Sequence, residues 1–121
     1  LMSIVTKRKS SIATVATVAG KAVGFHIFLL IKTAIYGFRT WVNEEYRNRG
    51  LGSNLIAWQH DHYPRKRHVY ILKDNVDPPV IFQHKQDFLR TAGYRLNKVI
   101  PPSTIEDNIY PRQFVYAKAK K

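Results

Sequence analysis

The chain predicts an α+β fold: a mostly antiparallel sheet flanked by helices, with elements in the order β-β-β-α-β-α-β-β. Three strand-like runs of β-branched and apolar residues follow one another before residue 43, separated only by tight turns. Two segments of helical spacing then alternate with one short apolar run. Two further strand-like runs close the chain around a proline-rich loop.

Residues 12–18 (Ile-Ala-Thr-Val-Ala-Thr-Val) are rich in β-branched side chains, which suit a pleated surface. Residues 19–21 make a turn at Gly20. Residues 23–31 are apolar on both faces, as expected of a central strand. Lys32-Thr33 leads tightly into a third strand, Ala34–Val42, completing an antiparallel meander. A glycine-rich turn precedes a helix over residues 53–63, with Leu51, Leu55, Trp58 and His62 at helical spacing and Pro64 as the stop. Residues 68–72 (His-Val-Tyr-Ile-Leu) read as a strand buried on both faces. Asp77-Pro78-Pro79 is a helix start, with Asp77 as the cap and proline tolerated in the first turn. Ile81, Phe88 and Ala92, joined by Phe82 and Leu89, form that helix's apolar face, and Gly93 ends it. Residues 95–100 and 112–119 are the last strands, and residues 101–111 form a long polar loop between them.

At 121 residues, 45% of them hydrophobic, residues 1–121 are expected to form one folded domain with a modest core. The absence of cysteine excludes disulfides, thiolate metal sites and a cysteine nucleophile. It also suits a reducing cytoplasm. No apolar run reaches the ~18 residues of a membrane helix, and Gly24 and His26 interrupt the longest. Net charge is +12 with a pI near 10.2, a field that attracts nucleic acid or an acidic protein surface. The charge is dispersed over Lys7-Arg8-Lys9, Arg65-Lys66-Arg67-His68 and residues 118–121. The basic ends, 1–11 and 118–121, are read as flexible solvated tails. No aromatic RNA-binding signature or recognition-helix pattern accompanies them, so a nucleic-acid binder rests on charge alone.

The most informative stretch is residues 42–53, Val-Asn-Glu-Glu-Tyr-Arg-Asn-Arg-Gly-Leu-Gly-Ser. Gly50 and Gly52 let the backbone turn tightly and approach a ligand without a Cβ in the way. The helix behind them starts with unpaired N–H groups and the positive end of its dipole. Arg47 and Arg49 add formal charge. Together these make a seat for an anion, most naturally a phosphate. Ile56 stands where a dinucleotide fingerprint needs its third glycine, and a P-loop's Gly-Lys-Ser/Thr is absent.

Arg47-x-x-Gly50-x-Gly52, preceded by Glu45-Tyr46 and a strand ending in Val42, resembles the R/Q-x-x-G-x-G/A pyrophosphate loop of GNAT-superfamily N-acetyltransferases. The element order resembles that GNAT-like fold from its second strand to its seventh, over about residues 12–119. Phe88-Leu89-Arg90-Thr91-Ala92-Gly93-Tyr94 resembles the family's late helix, which commonly ends in Gly-Phe. The family's first strand and first helices, which help form the acceptor site, have no counterpart in this reading.

The resemblance implies an acetyl-CoA-dependent N-acetyltransferase acting on an amine acceptor. Main-chain amides of Arg49, Gly50, Leu51, Gly52 and Ser53, beside Asn48, would hold the pyrophosphate. Arg47 would add charge, and Thr40, Trp41 and Val42 would pair with the pantetheine arm as an extra strand would. The family's tyrosine acid falls on Leu89, which has no proton to give, and nothing in the sequence places Tyr70 or Tyr94 on the sulfur. The strand Ala34–Val42 holds no Glu, Asp or His to serve as base, and Glu44 and Glu45 fall in the turn. The catalytic residues are therefore unassigned. The alternative is an inactive GNAT-fold structural or binding protein, for example a virion component, since Phe88-Leu89-Arg90-Thr91-x-Gly93 also resembles GNAT-like phage virion proteins.

The remaining candidates read as structural. His26 in an apolar strand reads as a satisfied core residue. His84 reads as a surface group, and Ser53 as a helix-start hydroxyl. His60 and His62 project to different sides of a helix, so no metal site is expected. Trp41 and Trp58 read as core or cleft wall.

Overall fold

The computed structural model describes residues 2–8, 11–75 and 77–118, the first of these stretches by its backbone. Four strands open the chain: β1 (Met2–Arg8), β2 (Ser11–Val18), β3 (Lys21–Leu30) and β4 (Ala34–Val42). A 3₁₀ turn, Glu44–Tyr46, leads to helix α1 (Leu51–His62). Strand β5 (Arg67–Lys73), helix α2 (Pro79–Thr91) and strand β6 (Tyr94–Ile100) follow. A small hairpin of β7 (Ser103–Ile105) and β8 (Asn108–Tyr110) precedes β9 (Gln113–Lys118).

Seven strands form one sheet in the order β1-β2-β3-β4-β5-β9-β6. Only the β4–β5 pair is parallel; it spans the crossover through α1, and every other pair is antiparallel. The expected elements are present in the expected order. β3 has partners on both edges, as its two-sided apolar pattern requires.

Four details differ from the sequence reading. The sheet has a further edge strand, β1, antiparallel to β2. Ile4-Val5-Thr6 is a β-branched signal, but a short one beside Lys7-Arg8-Lys9. Of the basic ends, residues 1, 9, 10 and 119–121 lie outside the described residues, while Met2–Arg8 is β1 and Lys118 closes β9. Asp77 does not cap α2. Pro78 is the N-cap, the prolines at 78 and 79 offer no amide hydrogen, and Asp77 pairs with Lys85 instead. The loop over 101–111 contains the β7–β8 hairpin, turning through Glu106 (φ 49°) and Asp107 (φ 66°), the two left-handed residues of a type I′ turn.

Helix α1 keys the core together. Leu55 packs with Ala16 and Val23, Ile56 with Tyr70, Leu72, Leu89, Tyr94 and Tyr116, and Trp58 against Ile12, Phe28 and Ile35. Its fully buried residues are Leu55, Ile56 and Gln59, so a glutamine occupies the buried face that the apolar spacing implied. His62, counted in that spacing, is exposed and stacks on Trp58 at 3.8 Å.

Candidate functional site

A divergence of strands makes the site. β4 and β5 pair from Ala34↔Arg67 to Gly37↔Tyr70 and no further. There β4 bulges, since Phe28 faces Gly37 while Ile27 faces Arg39, leaving Phe38 as the extra residue. Such bulges re-aim a strand, often beside an active site. Beyond it, Thr40, Trp41 and Val42 pair with His26, Phe25 and Gly24 of β3 on one side only. Their other edge opens on a cleft of about 720 Å³ that also meets Tyr70 and Leu72 of β5 and Phe88 and Leu89 of α2.

The β4–α1 corner forms one end of this cleft. Asn48 (φ 64°) and Gly50 (φ 80°) take left-handed conformations, and Gly50 is the N-cap of α1. The first helical bond runs from Asn54 N–H to the Gly50 carbonyl at 2.9 Å. No side chain caps this end, so the amides of Leu51, Gly52 and Ser53 have no partner within the helix. Ser53, expected to cap, instead lies within the first turn, because the left-handed Gly50 starts the helix earlier. A Cβ on Gly52 would come within 3.3 Å of the Phe88 ring, so a side chain there would require that ring to give by a few tenths of an ångström.

Side chains hold the corner. Arg47 Nε donates to the Val42 carbonyl at 2.9 Å, tying the turn back to β4. The Glu45 amide donates to Asn43 Oδ1 at 3.1 Å, and among the described residues no ion pair joins Glu45 to Arg47. Of the ten residues the sequence assigned to this site, all but Arg49 line the cleft; Arg49 lies over the Tyr46 ring, 5.4 Å from its centroid. Arg39 joins them, a cation the sequence reading did not include.

The candidate proton carriers separate in space. Leu89 is 1% exposed and lines the cleft with nothing to titrate. Tyr94 is fully buried away from it, its hydroxyl on His60 Nε2 at 3.0 Å, and burial raises its pKa. Tyr70 does line the cleft; burial pushes its hydroxyl up to about 12, and that hydroxyl lies 3.0 Å from Thr40 Oγ1. His26 is buried and fully partnered: Nε2 meets Gln59 Oε1 at 2.7 Å, and Nδ1 lies 2.8 Å from Thr40 Oγ1.

Burial lowers the pKa of His26, and also of His68. It takes His60 to about 3, helped by the charge of Lys118, whose Nζ lies 3.0 Å from His60 Nδ1. His84 is exposed at the cleft's α2 wall. Trp41 leans on Phe25, with ring centroids 5.6 Å apart. In the basic loop, Lys66 caps the β3–β4 turn, donating to the carbonyls of Ile31 (3.0 Å) and Lys32 (2.8 Å).

The sequence pattern of the Acetyltransferase (GNAT) family matches residues 4–85, a stretch that contains the whole corner and β5. The chain belongs to the GNAT acetyltransferase family. Solved GNAT structures share its fold. The ribosomal-protein-S18-alanine N-acetyltransferase of Escherichia coli superposes with a TM-score of 0.66 at 13% identity, over 95% of this chain and 72% of that one. A GNAT acetyltransferase of Elizabethkingia anophelis with acetyl-CoA bound gives 0.66 at 12% identity, over 90% and 76%. An Arabidopsis thaliana protein in complex with the bisubstrate analogue CoA-Ac-MVNAL gives 0.69 at 19% identity, over 88% and 72%. No curated protein sequence matches the chain. Among the described residues, no helix of this GNAT chain is long and apolar enough to cross a membrane.

Sequence reasoning passed over Gln59, His68 and Gly37. Gln59 sits at helical spacing from Leu55 and Ile56, where its polarity argued against burial. Gly37 reads as a weak strand residue until the Tyr70 ring is seen against it: a Cβ there would lie 2.7 Å from Tyr70 Cδ2.

Proposed function

We propose that the chain is an acetyl-CoA-dependent N-acetyltransferase whose acceptor is an amine. One observation carries this reading: the uncapped first turn of α1, behind a left-handed Gly50, faces a cleft bounded by the unpaired edge of β4. The amides of Leu51, Gly52 and Ser53, with those of the turn at Asn48, Arg49 and Gly50, receive the pyrophosphate. Arg47 and Arg39 supply positive charge. The free main-chain groups of Thr40, Trp41 and Val42 pair with the pantetheine arm, in the manner of strand addition. The acetyl group then lies near the β4–β5 divergence, beside Tyr70. The acceptor amine attacks the thioester directly, and the protein's contribution is to hold the two in line.

Two relatives support the reading in their own right: one holds acetyl-CoA, and the ligand of another joins CoA to a peptide. An acceptor or partner of acidic character suits the +12 charge of the chain.

Calorimetric titration with acetyl-CoA, CoA and inorganic phosphate tests the cofactor site. Micromolar binding of acetyl-CoA, about −8 kcal/mol, and much weaker binding of phosphate are expected. A folded chain that binds neither acetyl-CoA nor CoA would sink the reading. An amine panel follows, comprising an alanine-initiated peptide, a lysine-containing peptide and a polyamine, with CoA thiol release as the readout.

A further inference from the structure

Beneath the cleft lies a row of hydrogen bonds whose direction is set by one group that can only accept. His68 Nε2 lies 2.9 Å from the Tyr63 carbonyl, so Nε2 carries the proton. His68 is neutral, since burial disfavours its charge, and its Nδ1 therefore accepts from Gln59 Nε2–H at 2.8 Å. That turns Gln59 Oε1 toward His26, whose Nε2–H donates to it at 2.7 Å. The Nδ1 of a neutral His26 then presents a lone pair and accepts from the Thr40 hydroxyl at 2.8 Å. Thr40 Oγ1 in turn accepts from the Tyr70 hydroxyl at 3.0 Å, and Tyr70 lines the cleft. Every polarity from the cleft to Tyr63 is thus fixed.

Two features suit this row to move a proton as well as to hold the core. The Arg39 carbonyl lies 3.2 Å from His26 Nδ1, where it has no hydrogen to accept until that nitrogen is protonated. A proton arriving there finds a second acceptor already in place. Gly37 also leaves room for the Tyr70 ring to stack over His26, with centroids 6.2 Å apart, and a Cβ at Gly37 would meet both rings.

We propose that Tyr70 is the catalytic residue for proton transfer in the acetyl-transfer reaction, and that Thr40 and His26 are positioning residues that relay its proton. This rests on the acetyltransferase reading above. As the amine nitrogen bonds to the thioester carbon, its proton passes to the Tyr70 oxygen. The Tyr70 proton moves to Thr40 Oγ1, and that of Thr40 to His26 Nδ1. The carbonyl re-forms as the C–S bond breaks, its electron pair leaving on sulfur. The proton returns along the same row, and Tyr70 gives it to the thiolate. An amide and a thiol are produced, and the chain is unchanged. One hydroxyl thereby serves in both directions at a cleft where Leu89 can serve in neither.

The groups that face His26 are Thr14 of β2, Arg39 and Thr40 of β4, Gln59 of α1 and Tyr70 of β5; a charge on His60 is repelled by one on His26. Burial dominates its titration, so it is neutral and able to accept at neutral pH.

The test is steady-state kinetics of the full chain with acetyl-CoA and the best acceptor of the amine panel. Tyr70→Phe and Thr40→Val should each lower kcat by ~10²–10⁴-fold, the usual worth of a positioned proton-transfer group, while the KM for acetyl-CoA is unchanged. Thr40→Ser should restore kcat, and Thr40→Val should erase the acid limb of the pH profile that His26 imposes. A Tyr70→Phe variant with undiminished kcat, or a Thr40→Ser variant as slow as Thr40→Val, would overturn the relay. ¹⁵N NMR of labelled histidine needs no substrate: Nε2–H tautomers are expected for His26 and His68, and an Nδ1–H tautomer on His26 would reverse the row and refute the relay. Acetyl-CoA binding with no transfer to any amine would instead defeat the acetyltransferase reading, leaving the NMR result to judge the row by itself.

Discussion

At the β4–α1 corner the polar groups offered to the cleft are uncapped main-chain amides, whereas below the cleft they are side chains drawn from β3, β4, α1 and β5 that bond one another. The corner turns through two left-handed residues, Asn48 and Gly50, shortly past the end of β4, and its side-chain hydrogen bonds, Arg47 to Val42 and Glu45 to Asn43, are local. The buried row exists only because four elements meet, and no buried side-chain polar atom among the described residues lacks a partner. A local device tolerates change in the rest of the chain. A shared network does not, since removing one member strands its neighbours at a cost that low-dielectric surroundings magnify.

The largest expected effect lies in the network. Gln59→Leu leaves a ring nitrogen of His26 and one of His68 unpaired and buried, and each such group costs about 1–3 kcal/mol. Loss of roughly 2–6 kcal/mol is therefore expected in denaturant unfolding. A loss under ~0.5 kcal/mol, as for an ordinary surface change, would mean that the row is not bonded as described.

Acidification tests the same region without mutation. His26, His60 and His68 all have folded pKa values below the ordinary 6.5, with burial the first cause in each. Below 6.5 the unfolded chain therefore binds more protons than the folded one. Stability is full above that value and is lost as pH falls toward the folded values, which for His60 is about 3. The slope approaches ~1.4 kcal/mol per pH unit for each excess proton. Melting curves at pH 7 and pH 5 measure it, and equal midpoints would contradict neutral buried rings.

At the corner the effect should fall on binding. A Cβ at Gly50 meets nothing within 4 Å, so Gly50→Ala acts through its φ of 80°. The left-handed conformation costs about 1–2 kcal/mol for an ordinary residue, which lowers the population of the binding-competent turn and weakens acetyl-CoA by roughly 10-fold. Calorimetry alongside circular dichroism separates this from unfolding, and unchanged affinity would remove the corner from the site. The smallest effect belongs to Lys66→Ala. Its two carbonyl contacts are exposed, so its stability change should stay within about 1 kcal/mol, and a larger one would show that the β3–β4 turn depends on that cap.

Legibility follows the same division. Arg47-x-x-Gly50-x-Gly52 could be read because glycine geometry and a helix start are local, and Ala34–Val42 because a nine-residue apolar strand between turns admits few other conformations. Asp77 was misread as a cap because the local pattern does not show that its carboxylate is taken by Lys85, eight residues away on the helix itself. His26 was read as a core residue, and it is one. Its partners Gln59 and Thr40 lie 33 and 14 residues away, and no spacing rule links them.

The sequence by itself determined the fold class, the order of its main elements and the tight glycine turn between β4 and α1, because periodicity, turn residues and left-handed glycine act over a few positions. Only the tertiary structure decided that β4 and β5 part after Gly37 and Tyr70, that Tyr70 lines the cleft beside Leu89 while Tyr94 is buried away from it, and that Tyr70 joins Thr40, His26, Gln59 and His68 in one hydrogen-bonded row. Those outcomes depend on which side chains meet across the sheet, and that is fixed by packing between distant segments.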